Sequence, residues 1–283
     1  MTRVLVTGAG ERSIGAATAR LLAEQGAEVT VTTRSDAAGA AARIGHGVVG
    51  HDLDLASRSS VEAFAQWYAE ERAGLDVLVN NAGIHLDLRS RWKEPQLVDG
   101  EEIHWRVNYL GAWHLTSLLL PLLDAAPAPR VVNVVSKLHR RGSNAALFTG
   151  VQPYDSWAAY GTSKLALIHH ATELARRHPA IATYAVHPGE VYTRIADRGL
   201  ETSPLLGAVR KLAAPLERRA LMTPEQGART TVLCATAPDL PGGYYRSGAP
   251  AEPSGDAQDV TAAARLWDAT AAWLESGRHT QGP

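Results

Sequence analysis

The sequence predicts a doubly wound α/β fold: one domain built on a parallel sheet of about seven strands, with helices on both faces. Short β-rich apolar runs alternate with longer segments of helical period along most of the chain. The runs are apolar at nearly every position, as strands covered on both faces are. The first run ends in a glycine-rich turn that opens a helix. Strands and helices in this alternation form crossover units, and the crossovers stack into a single sheet of the Rossmann type.

The elements follow in order. Residues 4–7, Val-Leu-Val-Thr, form a first strand, and the alanine-rich stretch 14–25 after the glycine turn is the first helix. The β-branched run 28–33 precedes a helix at 37–43, and a short strand at 47–51 precedes a helix at 59–72. Residues 77–80 are the fourth strand, followed by a long helix over 101–124 that is apolar on one side. Strand 130–135 leads to the strongly helical 157–177, and strand 181–186 to a helix at 224–235. No linker-like tract or charge block divides the 283 residues, and the 45% hydrophobic content is spread throughout. Residues 1–276 therefore read as one domain, with an insert at about 192–222 and a flexible tail at 277–283.

A formal charge of −1 provides no basic field for nucleic acid or anionic lipid, so a small molecule is the expected partner. The longest apolar stretch, 115–126, is well short of the roughly 20 residues that cross a bilayer. The sequence starts directly with a strand and shows no leader pattern, and Cys234 has no second cysteine to pair with. These features fit a cytoplasmic protein. The eleven histidines show no zinc-ligand spacing, so no metal is expected.

In such a fold, ligands sit beyond the carboxyl ends of the strands. After strand one, Gly8, Gly10 and Gly15, with Arg12, Ser13 and Ile14, form a turn where backbone can approach a pyrophosphate and a helix N-terminus can hold it. After strand two, the acid expected for binding ribose hydroxyls is missing. Thr33 and Arg34 stand there instead, and a guanidinium fork suits a 2′-phosphate, as does Arg12. The expected cofactor is thus NADP(H) rather than NAD(H). Asp54 and Leu55 follow strand three, where a carboxylate can accept from adenine, and Asn81, Ala82 and Gly83 close strand four.

Tyr160 and Lys164 are four apart on a helix and share a face. A nearby ammonium stabilises phenolate and is expected to bring the tyrosine pKa down from about 10. Only four lysines occur in an otherwise arginine-using chain, which makes Lys164 stand out. Ser136 ends strand five, where its hydroxyl and the Tyr160 phenol can converge on one carbonyl oxygen. Asn108, polar within an apolar helix, should be buried: it either satisfies local backbone or holds a water that relays protons to Lys164. His85 and His139, each just beyond a strand end, are candidates for substrate contact.

Together these motifs resemble the short-chain dehydrogenase/reductase family over nearly the whole chain, through the Thr7–Gly15 turn, Leu53-Asp54-Leu55, Asn80-Asn81-Ala82-Gly83, Asn108, Ser136, Tyr160/Lys164 and His187-Pro188-Gly189. Within it, Val107-Asn108-Tyr109-Leu110-Gly111, Tyr154 and Ser163-Lys164-Leu165-Ala166 are most similar to the retinol-dehydrogenase and protochlorophyllide-reductase-like branch. The tail fits as well, with Thr223-Pro224-Glu225 opening a helix and Gly243-Tyr244-Tyr245 as a last strand. The resemblance implies hydride transfer between NADP(H) and a carbonyl or alcohol of a small, apolar or polyketide-like substrate. Tyr160 would be the acid or base, Lys164 would hold the nicotinamide ribose, Ser136 would orient the substrate oxygen and Asn108 would support the proton relay. Pro188, Gly189, Val191 and Thr193 would contact the nicotinamide end; Leu138, Tyr154, Trp157 and Tyr192 join His85 and His139 on the substrate side. A homodimer or homotetramer is compatible with the family.

Two departures stand out. The glycine turn is one residue longer than the usual pattern, with Ser13 in place of the middle glycine, and the strand before Ser136 ends Val-Val-Ser. The insert carries Leu205, Leu206, Val209 and Leu212 and reads as an amphipathic lid or an oligomer contact. A redox-neutral enzyme or a dinucleotide sensor on the same fold is the rival reading, and an acid/base phenol weighs against the sensor.

Overall fold

The computed structural model describes residues 1–85, 93–191 and 222–279, with side chains described to 276. Strands β1 (Arg3–Thr7), β2 (Glu28–Thr33), β3 (Val49–Asp52), β4 (Val77–Asn80), β7 (Arg130–Val134), β8 (Ala182–His187) and β9 (Gly243–Arg246) run parallel. The two-residue β10 (Ala249–Pro250) adds an antiparallel edge, giving the order β10-β9-β8-β7-β4-β1-β2-β3 among the described residues. The order reverses between β1 and β4, and the glycine turn after β1 opens at that switch point.

Strand residues alternate between two apolar cores. Val4, Val6, Val77 and Val79 pack toward α1 (Ile14–Glu24) and α7 (Pro224–Thr236). Leu5, Leu78 and Val131 pack toward α3 (Arg58–Glu71) and α4 (Gly111–Asp124). Period two with apolar residues on both faces is what parallel, doubly covered strands require. The helix α2 (Ala37–Ile44) covers β2 and β3, α5 (Ala146–Thr149) is a single turn, and α6 (Ser156–Arg177) lies against β7 and β8. The last helix, α8 (Val260–His279), packs on α6.

Two expectations need correction. The sheet has eight strands rather than about seven, because a turn through Ser247 and Gly248 (φ 51° and 78°) folds β10 back on β9. The helix expected over 101–124 starts later. Asp99 and Gly100 both have positive φ (51° and 82°), so they turn β5 (Leu97–Val98) into β6 (Glu101–Glu102) as a hairpin. A π-helical turn, Trp105–Leu110, then leads into α4. The last helix, α8, ends at His279. The insert expected to form a lid lies outside the described residues except for Met222.

Candidate active site

The sequence departure in the glycine turn has a local explanation. Arg12 takes the left-handed conformation (φ 56°), absorbing the extra residue, and Ser13 caps α1, its Oγ accepting from the Ala16 N–H at 3.0 Å and donating to the Gly8 carbonyl. Gly15 does not line the cleft as expected. A Cβ there would come within 2.4 Å of Asn81 Nδ2 and 2.6 Å of the Gly8 carbonyl, so Gly15 allows α1 to seat closely behind the turn. Asn81 Nδ2 in turn donates to the Thr7 and Gly8 carbonyls, tying the ends of β1 and β4 together.

A cleft of about 870 Å³ runs along the carboxyl ends of the strands, within the range of pockets that enclose cofactors. One end is lined by Gly8, Gly10, Arg12, Ser13, Ile14, Thr33 and Arg34, and its flank by Asp54, Leu55, Asn81, Ala82 and Gly83. The other end holds Ser136, Tyr160, Lys164, Pro188, Gly189 and Val191. Thr193 and Tyr192 lie outside the described residues. A second, apolar groove of about 640 Å³ between α6, β8 and β9 contains none of these side chains. Asp54 and its neighbour Asp52 divide their work: Asp52 accepts from the Ala37 N–H at the start of α2, while Asp54 faces the cleft.

At the chemical end, Lys164 is buried and its Nζ donates to the Val134 carbonyl at 3.0 Å. Burial lowers its pKa to about 8. Burial pushes the Tyr160 phenol up to about 12, with the Ser136 hydroxyl acting in the opposite direction. The expected lowering of the Tyr160 pKa by Lys164 does not emerge: burial dominates, and the lysine nitrogen sits 5.9 Å from the ring centroid. A Cβ on Gly83 would lie 3.0 Å from Lys164 Nζ and 3.4 Å from Asn108 Oδ1, so glycine keeps that corner open.

Asn108 lies in the π-helical turn, fully buried. Its Oδ1 accepts from the Ile84 N–H at 2.7 Å, and its Nδ2 donates to the Ile84 carbonyl and to Ser163 Oγ, both at 3.0 Å. The backbone it satisfies is not local but that of Ile84, 24 residues earlier in the chain. Ser163 Oγ passes the connection on to the Tyr160 carbonyl at 2.7 Å.

His139 departs from the expected substrate contact. Its Nδ1 donates to the Ser136 carbonyl at 2.7 Å and its Nε2 accepts from the Ser254 N–H at 3.0 Å, so both ring nitrogens hold backbone. Leu138 is likewise absent from the cleft wall; its N–H donates to Ser136 Oγ at 3.2 Å. His85 stacks on the Tyr160 ring with centroids 4.4 Å apart and planes 12° from parallel, and Trp157 meets His85 edge-on at 4.9 Å. The Tyr154 hydroxyl donates to Glu102 Oε1 at 3.1 Å. None of the three lines the cleft: His85 lies on Tyr160, Trp157 on His85, and Tyr154 is held by Glu102.

Sequence reading missed His104, edge-on to Tyr160, and Glu102, which holds it, and also His187, Val98, Ile103 and Val107, which line the cleft. The Asp99-Gly100 pair was the signal that could have shown a hairpin here. Burial and its cationic neighbours lower the His187 pKa to about 4, and its Nδ1 accepts from the Gly189 N–H at 3.3 Å. Among the described residues, no group of three or more His, Cys, Asp or Glu could hold a metal ion, and no helix is long and apolar enough to cross a membrane.

A phosphate-type turn at one end of the cleft and a Ser-Tyr-Lys set at the other define an oxidoreductase that uses a nicotinamide dinucleotide. The family model for short chain dehydrogenases matches residues 2–203, and the chain belongs to that family. It is 36% identical to mouse retinol dehydrogenase 12, over 94% of this chain and 84% of the relative. It is 37% identical to bovine dehydrogenase/reductase SDR family member 13, over 94% and 71% of the two chains, and 35% identical to human retinol dehydrogenase 11, over 94% and 83%. Its branch is thus the retinol dehydrogenase-like one. Among solved structures, an uncharacterized protein from Mycobacterium paratuberculosis is similar with a TM-score of 0.72 and 33% identity, covering 95% of this chain and 92% of that one. Salutaridine reductase from Papaver somniferum shares the fold, with a TM-score of 0.66 at 23% identity, covering 87% and 99%.

Proposed function

We propose that the protein is an NADP(H)-dependent reductase or dehydrogenase acting on the aldehyde, ketone or alcohol group of a small apolar molecule, with retinoid-type compounds the first class to test. The observation that carries this reading is the convergence of Ser136, Tyr160 and Lys164 at one end of the cleft that has Arg12 and Arg34 at the other. The cleft's residues fit the cofactor, with glycine backbone and a helix N-terminus for the pyrophosphate and two arginines for a 2′-phosphate. When bound, the nicotinamide supplies or takes up the hydride.

This chain's own residues manage the proton. In reduction, Ser136 Oγ holds the substrate oxygen and Tyr160 Oη donates its proton to that oxygen as the hydride reaches carbon. Lys164, with a pKa of about 8 and its Nζ held by the Val134 carbonyl, is positioned to hold the cofactor ribose and to return a proton toward Tyr160. Asn108 and Ser163 fix the start of this arrangement by holding the Tyr160 carbonyl.

Titration with NADPH and NADH, followed by nicotinamide fluorescence, tests the cofactor. NADPH should bind tightly, and Arg34→Ala should weaken NADPH about tenfold or more while leaving NADH nearly unchanged. All-trans-retinal and a carbonyl panel then test turnover, with Tyr160→Phe as the inactive control. Equal binding of the two nucleotides, unaffected by Arg34→Ala, refutes the NADP(H) assignment; absence of turnover across the panel refutes the substrate class.

A further inference from the structure

The aromatic ring of Tyr160 is boxed by neighbours outside the Ser-Tyr-Lys set. His85 covers one face, stacked at 4.4 Å, and His104 meets both rings edge-on, at 6.1 Å from Tyr160 and 5.5 Å from His85. Both histidines are buried, at 1% and 0% exposure. His104 is anchored by Glu102: its Nδ1 lies 2.7 Å from Glu102 Oε1, and a carboxylate only accepts, so that nitrogen carries the proton. The same carboxylate accepts from the Tyr154 hydroxyl at 3.1 Å and, through Oε2, from the Trp105 N–H at 2.9 Å. Glu102 thus joins three pieces of chain: the β5–β6 hairpin, the start of the π-helical turn with the His104 ring, and the segment before α6.

The hairpin also reaches the cleft. Val98 and Ile103, on either side of Glu102, line it, and the Ile103 N–H donates to the Gln96 carbonyl to close the hairpin. One ribbon therefore carries a wall of the cofactor cleft and, through a single carboxylate, the ring that sets the attitude of the phenol.

We infer that Glu102 is a positioning residue for Tyr160, acting through His104 and His85 to hold the phenol toward Ser136. The three hydrogen bonds to its carboxylate come from donors, and the Trp105 N–H can only donate, so an amide in its place keeps its oxygen there and turns its NH₂ toward His104 Nδ1 and the Tyr154 hydroxyl, whose bonds are then lost as made. The ribbon end and His104 then lose their common anchor, and the Tyr160 ring gains freedom to turn away from Ser136. A tilt of this kind impairs proton delivery while leaving the phosphate end of the cleft as it was.

The test uses the full-length protein with NADPH bound. Its kinetic arm rests on the reductase reading above, and a second arm does not. In the kinetic arm, with all-trans-retinal as probe, Glu102→Gln should lower kcat about tenfold with the NADPH Kd within about twofold of wild type. In the oxidative direction the rise of rate with pH should move to higher pH, because the Ser136 hydroxyl that lowers the phenol pKa is no longer aligned with it. His104→Phe, which keeps an aromatic edge, should cost the same, and the double variant should cost no more than either single one. In the second arm, selective ¹⁵N-histidine labelling followed by NMR needs no substrate. The His104 Nδ1–H signal should disappear in Glu102→Gln, and the His85 signals should shift both in that variant and in Tyr160→Phe. If retinal is not turned over, the reductase reading loses its first substrate class, and the labelled spectra still decide the role of Glu102. Unchanged His85 signals in Glu102→Gln, or additive losses in the double variant, overturn the assignment.

Discussion

Acid should unfold this protein earlier than its charge alone suggests, and His170 is the place to measure it. The ring lies inside α6, stacked on Trp267 with centroids 5.7 Å apart, and its Nδ1 accepts from Asn133 Nδ2 at 3.0 Å. Asn133 Nδ2 can only donate, so a proton added at Nδ1 would face a second donor in a buried space. Burial accordingly lowers the His170 pKa to about 3, against 6.5 in an exposed chain. The folded form binds its proton later than the unfolded form does, so stability from this group is complete above pH 6.5 and falls as pH drops toward 3. At about 1.4 kcal/mol per pH unit the loss is about 2 kcal/mol by pH 5 and about 5 kcal/mol once both forms are protonated. His169 and His187, both lowered to about 4, act with the same sign in the same window, so the wild-type curve alone does not isolate His170. His170→Gln does, because its carbonyl can still accept from Asn133 while nothing titrates. Urea unfolding of both proteins at about pH 7 and about pH 5 should show the wild type losing about 2 kcal/mol more than the variant. Equal losses would refute the claim that this ring is held neutral by its surroundings.

Two further outcomes concern the catalytic corner. Gly83→Ala places a methyl 3.0 Å from Lys164 Nζ and 3.4 Å from Asn108 Oδ1, so turnover should fall about tenfold or more while the melting temperature moves by only a few degrees, about 4 °C at most; a variant with normal kcat refutes the tight corner. Lys164 loses its proton as pH rises through about 8, so carbonyl reduction should hold steady below that pH and decline above it in a pH–rate profile; a rate that stays level to about pH 10 contradicts the lowered lysine.

Much of this site was legible because it sits where the topology demands. Val4, Val29, Val77 and Val132 are apolar and β-branched, so the strands were plain, and the residues directly beyond them fall at the cleft: Gly8, Arg34, Asp54, Gly83 and Ser136. Local rules served equally well for α7, where Thr223 and Gln226 form a capping box behind Pro224. What escaped was tertiary. His139 follows a strand end like any ligand residue, yet the chain returning at Ser254 takes up its Nε2. Leu138 shares that turn and is not among the residues that line the cleft. The helical period of 101–124 hid a hairpin, since the apolar residues Ile103 and Val107 fit either reading until Asp99 and Gly100 are given positive φ. Glu102 and His104 were invisible for a related reason: a carboxylate and an imidazole two residues apart signal nothing until the hairpin brings Tyr154 and Tyr160 beside them.

The pairing of Tyr160 with Lys164 bears on the direction of the chemistry. Sequence spacing suggested that the lysine would pull the phenol toward deprotonation, but burial acts on both groups, and in opposite directions. It raises the phenol to about 12 and lowers the ammonium to about 8, so desolvation disfavours the charged form of each. Near neutral pH the Tyr160 proton is thus firmly held until an oxygen with developing negative charge arrives to take it. Reduction needs a group in that state, protonated at rest and aligned with Ser136 on the incoming oxygen. Oxidation needs the reverse, a phenol already stripped of its proton, and must work against the burial that keeps it in place. Because His85 and His104 lie against the ring and contribute to that burial, the residues that orient it also bear on the cost of ionising it. Loosening that box would spoil the alignment with Ser136 and, with it, the one contact that lowers the phenol pKa.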